Sequence, residues 1–316
     1  MRIDAVILNP FANGGAGARR WRGVIQSRRA KELGLDQAEI FDGRDVRPWL
    51  ESKIRQGARR FVVAGGDGTV HSVLNTYLDL KNRGSDIPKD LVFGAIGIGS
   101  SNDFHKPYLT SGREKIAGCP TRLEFDSAFA HDAGILKLEA NPYPIQFFIN
   151  CSVGVTAEAN YRFNTGGSAF QALKRKWVNG AIVSAALSTF ATYQNQQISM
   201  QIDSDPETQL NLTNLGVIKN KHFAGTFRYD QGPQANDGEL GVHVCADMNR
   251  VEMLSTLGAL AQGKFSGRQK TQSQKAKKVL IRSLTSRPLV IETDGETQPA
   301  HFCEIGILNQ EIILCP

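Results

Sequence analysis

Three short stretches of this chain concentrate residues able to hold a phosphate. The sharpest is Gly65-Gly66-Asp67-Gly68-Thr69. Its glycines let the backbone turn tightly, with N–H groups outward and no Cβ in the way. A helix starting at Val70 would add a partial positive charge at its N-terminus, completing a phosphate cradle. Asp67 would repel a bare phosphate, so its place there calls for a partner. That partner is either Mg2+, directly or through water, or a hydrogen bond that shapes the loop. The other stretches are Asn9-Pro10-Phe11-Ala12-Asn13-Gly14-Gly15 and Gly99-Ser100-Ser101-Asn102-Asp103-Phe104. Both offer hydroxyl, amide or carboxylate groups to a polyphosphate and its metal.

The elements that must position these loops alternate regularly. Apolar runs at Ala5–Leu8, Gln37–Phe41, Arg60–Ala64 and Leu91–Ile96 read as strands. Helical patterns fill Ala18–Leu33, the stretch from an Asp45 cap to Gln56, and Thr69–Lys81. Strands separated by helices predict parallel pairing, because each right-handed crossover needs a helix. The loops after Leu8, Ala64 and Ile96 then fall at carboxyl ends of strands, where open α/β sheets bind ligands.

Beyond Thr121 the beat changes. Strand-like runs follow at Leu123–Ala130, Ile135–Leu138, Ile145–Asn150, Ile198–Ile202, Leu215–Lys219, Leu240–Val244, Val279–Ser283, Leu289–Thr293 and Ile312–Cys315. Helical patterns interrupt them near Ala169–Thr192 and Arg250–Gly263. Many strands with few crossovers predict an antiparallel sandwich or barrel. The length of 316 residues suits two domains. The expected division is a nucleotide-binding α/β domain over residues 1–122, taking in the last strand at 307–316, and a β-rich substrate domain over 123–306.

Composition excludes several classes. Hydrophobic residues at 41% and charged residues at 22% argue against disorder. Cys119, Cys151, Cys245, Cys303 and Cys315 are scattered without a CxxC pair, which disfavours a disulfide scaffold or structural zinc and points to a reducing cytoplasm. The opening MRIDAVILNP shows no basic-then-apolar leader, so no secretory signal is expected. Residues 177–202 carry no charge, but polar residues interrupt them too often for a membrane span, and they read as a buried helix followed by a strand.

In order, NPFANGG, GGDGT and GSSNDF resemble the diacylglycerol kinase catalytic-domain superfamily, which phosphorylates diacylglycerol, sphingosine, ceramide and related lipids. Asp132-Ala133-Gly134, Asn150-Cys151-Ser152-Val153-Gly154, Pro233–Leu240 and Asp294-Gly295-Glu296 continue the resemblance along the chain. The resemblance implies ATP bound by Asn9, Pro10, Phe11, Ala12 and Asn13, by Gly65, Gly66, Gly68 and Thr69 around Asp67, and by the third loop with Ser100, Asn102 and Asp103. It implies a structural Mg2+ near Gln234, Asp237 and Glu239, and Glu296 as the general base for the lipid hydroxyl. The active site would lie in the cleft between the domains. The chain departs from the family pattern at His71-Ser72, at Phe41-Asp42-Gly43 and at Ser100, where a threonine is usual.

The net charge is +6, yet Ala261–Pro288 alone holds eight cations and no acid: Lys264, Arg268, Lys270, Lys275, Lys277, Lys278, Arg282 and Arg287. Beside a water-insoluble substrate this strip predicts peripheral contact with an anionic membrane. Lys174-Arg175-Lys176-Trp177 adds a second basic cluster with an interfacial aromatic. Nucleic acid is the weaker alternative, because no recognition motif or stacking platform accompanies the charge. The reading is therefore an ATP- and Mg2+-dependent lipid kinase of the cytoplasm, peripheral at the inner membrane surface. The alternatives are an NAD kinase-like phosphotransferase, which shares the GGDGT loop, and a non-catalytic binding homologue.

Overall fold

A computed structural model describes residues 3–83, 87–109, 115–165 and 188–316. The chain falls into two compact units: unit 1 comprises Met1–His131 and Gln310–Pro316, and unit 2 comprises Asp132–Asn309.

In unit 1, β1 (Ala5–Leu8), β2 (Glu39–Phe41), β3 (Arg60–Gly65) and β4 (Val92–Gly97) form a parallel sheet ordered β2-β1-β3-β4. The crossovers are α1 (Gly17–Ile25), α2 (Arg28–Glu32), α3 (Val46–Arg55) and α4 (Asp67–Asn82). The single helix expected over Ala18–Leu33 is two, because Ser27 turns extended and its hydroxyl accepts from the Ala30 N–H to cap a new start. The sheet is buried on both faces. Val62 and Ala64 pack with Val6, Trp21 and Val24. Tyr77 of α4 rests on Phe93 at 5.0 Å between ring centroids, and Phe93 stacks on Phe61. Each buried aromatic of this kind stabilises the fold by about 1.5–3 kcal/mol. After β5 (Lys115–Ile116), β6 (Cys119–Arg122) runs antiparallel to β4. The strand expected at Leu123–Ala130 is instead a short 3-10 turn at Phe125–Ser127 ahead of β7 (Phe129–Leu138).

Unit 2 is an antiparallel sandwich. Its strands are β8 (Asn141–Phe147), β9 (Asn150–Gly154), β10 (Gln196–Ile202), β11 (Thr208–Ile218), the small hairpin of β12 (His222–Phe223) and β13 (Phe227–Arg228), β14 (Leu240–Ala246), β15 (Thr271–Ala276), β16 (Lys278–Ser283), β17 (Leu289–Thr293), β18 (Glu296–Ala300) and β19 (Phe302–Leu314). The end of β19 belongs to unit 1, where Ile313 and Leu314 pair parallel with Val92 and Phe93. A register shift between Leu212 and Asn214 lets one edge of β11 serve two partners, β10 before it and β9 after it. Such an irregularity re-aims a strand and makes a sandwich corner. Leu136, Phe147, Val153, Ile198, Leu215, Val242, Ile281, Ile291 and Ile305 fill the core.

Helices accompany the strands. α5 (Val155–Thr165) was not expected; the Thr156 N–H and hydroxyl both donate to the Asn214 side chain at its start. α6 (Arg250–Gln262) matches the expected helix, with an Asn249–Glu252 capping box and left-handed Gly263 at its end. Most of the helix expected at Ala169–Thr192, and the whole Lys174–Trp177 cluster, lie outside the described residues. Among the described residues no helix is long and apolar enough to cross a membrane.

Candidate active site

The loops after β1, β3 and β4 are fastened to one another. Asn9 follows β1; its side-chain oxygen accepts the Phe11 N–H, and its Nδ2 donates to Thr69 Oγ1 at 2.9 Å. Pro10 and Ala12 turn their carbonyls back onto the start of α1, accepting from Ala18 and Gly17. Asn13 adopts a positive φ of 54°, and the Phe11 ring is 79% exposed. Gly65 ends β3, and Gly66 is the extended residue from which α4 springs.

Helix α4 begins at Asp67, earlier than the expected Val70, because the Thr69 and Val70 amides already donate to the Gly66 carbonyl. Asp67, Gly68 and Thr69 are thus its first turn, and no side chain caps it. An uncapped helix start presents partial positive charge. Gly68 is exposed there.

The third loop packs directly on this turn. A Cβ on Gly99 would lie 2.4 Å from Gly66 Cα, so Gly99 needs the bare backbone, and one on Gly66 would press on Gly99 Cα at 3.2 Å. Asp67 Oδ1 accepts the Phe104 N–H at 3.0 Å. This is the shaping hydrogen bond, one of the two roles open to Asp67. Asn102 and Asp103, expected to face a nucleotide, also hold the loop together. Left-handed Asn102 exchanges hydrogen bonds with the Gly99 backbone, and buried Asp103 accepts from Lys106 at 2.5 Å. The Ser100 hydroxyl stays on an exposed residue. Phe41 packs against Trp49 at 5.0 Å and over Gly43, so its departure from the family pattern is used in local packing.

In unit 2, Asp294 and Gly295 carry φ of 46° and 103° and join β17 to β18, with Thr293 opposite Glu296. Two successive positive φ values are the signature of the tight I′ hairpin. Asp294 anchors it: its carboxylate accepts the backbone N–H groups of Phe148, Ile149 and Asn150. Asn160 and Asn164 donate to the Gly295 carbonyl. Glu296, next in line, is exposed at the head of β18. The motif thus divides its labour among an anchor, a turn and a presented carboxylate.

Beneath the hairpin lies a residue that motif reading passed over. Glu292 is buried and accepts from Ser152 Oγ, Asn150 Nδ2 and the Gly295 N–H. Burial lifts its carboxyl to about 7, with Asp294 adding to the rise and these donors opposing it. A carboxyl raised in the fold contributes its stability fully below the unfolded value of 4.5 and loses it as pH rises through about 7. Replacing it by glutamine removes that dependence and leaves only a constant offset. The denaturation midpoint of wild type relative to Glu292→Gln is therefore expected to fall between about pH 5 and about pH 8. A difference that stays flat over that range contradicts the assignment.

The expected magnesium loop is built around an ammonium group. Lys219 Nζ lies 2.7 Å from the Gln234 carbonyl, 2.9 Å from the Glu239 carbonyl, 3.0 Å from Asp132 Oδ2 and 3.3 Å from Asp237 Oδ1. Lys275 takes Asp237 Oδ2 at 3.0 Å and Glu239 Oε2 at 2.7 Å. The Gln234 and Glu239 carbonyls and the Asp237 carboxylate that would face a divalent ion already surround the buried Lys219 ammonium, so these residues do not fit one. Among the described residues no cluster of three or more His, Cys, Asp or Glu could hold a metal.

Residues 5–121 match the diacylglycerol kinase catalytic domain, and residues 150–312 match the YegS C-terminal NAD kinase beta sandwich-like domain. This chain belongs to the diacylglycerol kinase family of lipid kinases. It is similar to a diacylglycerol kinase of Mycobacterium tuberculosis, 22% identical over 279 residues that cover 87% of this chain and 83% of that one. A protein of Xanthomonas euvesicatoria named "Probable lipid kinase YegS-like" is 22% identical over 300 residues, covering 94% and 91%. The fold is shared with a diacylglycerol kinase crystal structure from Bacillus anthracis, at a TM-score of 0.65 and 14% identity over 99% of this chain and 96% of that one.

The basic strip of this lipid kinase is less charged in practice than in the sequence. Lys270 pairs with Glu252, Lys275 with Asp237 and Glu239, Lys278 with Glu304, and Arg287 with Glu158. Arg268 donates to Ser255, and Arg282 lies over the Phe302 ring. Lys264 and Lys277 are exposed. Surface pairs of this kind are weak and exchangeable, so the strip keeps a basic character with part of its field cancelled.

Proposed function

We propose that the protein transfers the γ-phosphoryl group of Mg2+-bound ATP to a hydroxyl of diacylglycerol, a sphingoid base or a related lipid. The observation that carries this reading is the welded rim of unit 1. The Asn9–Thr69 and Asp67–Phe104 hydrogen bonds and the Gly66–Gly99 contact bind three loops around one uncapped helix start. Phosphoryl transfer asks a protein for position and charge compensation more than for covalent chemistry. Amides of Gly66 and Gly68 would grip phosphate oxygens, the Ser100 hydroxyl would add a donor, and Asn9–Asn13 would flank the nucleotide. Mg2+ enters with the nucleotide as part of the substrate and supplies charge neutralisation on its phosphates. Glu296, presented by the Asp294-Gly295 turn, would accept the proton of the lipid hydroxyl.

The proposal places the enzyme in the cytoplasm, visiting the inner membrane surface through the side of Lys264, Arg268, Lys270, Lys275, Lys277 and Lys278. Purified protein with Mg2+, γ-labelled ATP and a panel of diacylglycerol, monoacylglycerol, sphingosine and ceramide in anionic vesicles is expected to yield organic-extractable label from one lipid class. The rate is expected to fall as salt rises, since attraction of exposed cations to the surface is screened. Failure with every lipid, together with phosphorylation of NAD, would overturn the lipid reading. A salt-independent rate would remove the membrane contact alone.

A further inference from the structure

The cage around Lys219 has the composition of a hard-cation site. It combines main-chain carbonyls of Gln234 and Glu239 with carboxylates of Asp132 and Asp237. Oxygen sets of this kind, mixing carboxylates with backbone carbonyls, are what divalent ions take. Here the centre is an ammonium delivered from the end of β11, with its side chain 3% exposed and that of Asp132 fully buried. The separations of 2.7–3.3 Å are those of N–H···O contacts. Bound Mg2+ would require about 2.0–2.1 Å.

The cation also organises a chain segment. Asp132 Oδ2 accepts the Gly238 N–H, and the Asp132 N–H donates to the Ala235 carbonyl. Asp237 accepts the amides of Gln234 and Glu239. Lys219 sits at the hub, joining a strand end, Asp132 and both limbs of the 233–239 turn. Its ammonium and a divalent ion could not share the cage, because like charges at contact distance in a buried site repel strongly. A buried amine drawn away from these partners would in turn lose the pairing that makes its burial tolerable.

We infer that Lys219 is a tethered cation that replaces a divalent ion in the 233–239 loop, so that this loop is complete without metal. The inference concerns the folded state of unit 2 and stands apart from the identity of the substrate. It leaves open the Mg2+ that accompanies a nucleotide.

The test uses full-length protein without nucleotide, stripped with EDTA and dialysed. The wild-type melting temperature is expected to be the same with EDTA, Mg2+ or Ca2+. Lys219→Gly deletes the amine and vacates the cage. It is expected to melt about 10 °C lower or more, as when one partner of a buried pair is removed. Millimolar Ca2+ or Mg2+ is expected to recover part of that loss by binding the native cage. A second change, Asp237→Asn in the Lys219→Gly background, should abolish the recovery and so locate it. A wild-type melt that drops several degrees on chelation would overturn the inference. So would a Lys219→Gly variant with an unchanged melt, or one whose loss no divalent ion recovers. Should the variant fail to fold, the wild-type insensitivity, together with absence of stoichiometric Mn2+ binding by electron paramagnetic resonance, decides the question.

Discussion

Asp67→Ala is expected to lower kcat/KM for the nucleotide at least about a hundredfold, the scale of loss when catalytic geometry slips by an ångström. The reason is mechanical. Asp67 Oδ1 is the acceptor for the Phe104 N–H, and Phe104 is buried. Removing the acceptor leaves a donor without its partner, a penalty of about 1–3 kcal/mol. It also releases the loop that presses Gly99 on Gly66. The amides proposed to grip phosphate would then lose their fixed spacing. Asp67→Asn keeps an oxygen in the same place and discards the charge, so it is expected to retain far more activity than alanine. Kinetics of both variants in the lipid assay, with melting curves to show intact folding, provide the check. Alanine at near-wild-type rates would end the assigned role; asparagine as inactive as alanine would shift that role from hydrogen bonding to charge.

The contrast among these residues shows what pattern reading can reach. β1, β3 and β4 were legible because each is a short apolar run closed by glycine or asparagine, the mark of a strand buried on both faces. Asp45 announced the start of α3 through side-chain chemistry alone. β15, reading TQSQKA, was not legible, since it pairs with β14 and presents mostly polar residues with no apolar alternation. The start of α4 was misplaced because glycines suggest loop, whereas Gly68 here is helical. Asn102 and Asp103 read as ligands by type; that they also tie the loop together shows only in the geometry. Lys219 escaped notice because Asp132 lies 87 residues away in sequence. A lysine ending an uncharged strand run was the available signal.

Glu296→Gln is the substitution expected to be most damaging to turnover, with a fall in kcat of at least about a hundredfold, the lower range of general-base contributions. The hairpin geometry makes this a clean experiment. Glu296 is exposed, and the turn that presents it is fixed by Asp294, Gly295 and the asparagines of α5 rather than by Glu296 itself. Glutamine preserves the size of the side chain and removes only its capacity to take a proton. The melting temperature and the KM for nucleotide are therefore expected to stay near wild type while kcat falls, the pattern of an interaction made in the transition state. Glu296→Asp, which keeps the base but withdraws it by one methylene, should fall between the two. Asp294→Ala tests the same geometry from beneath. It strips the acceptor from three buried or half-buried amides, and is expected to lower kcat and stability together. If Glu296→Gln turned over at a near-normal rate, the proton would have to leave by another group, and the hairpin would lose its place in the chemistry.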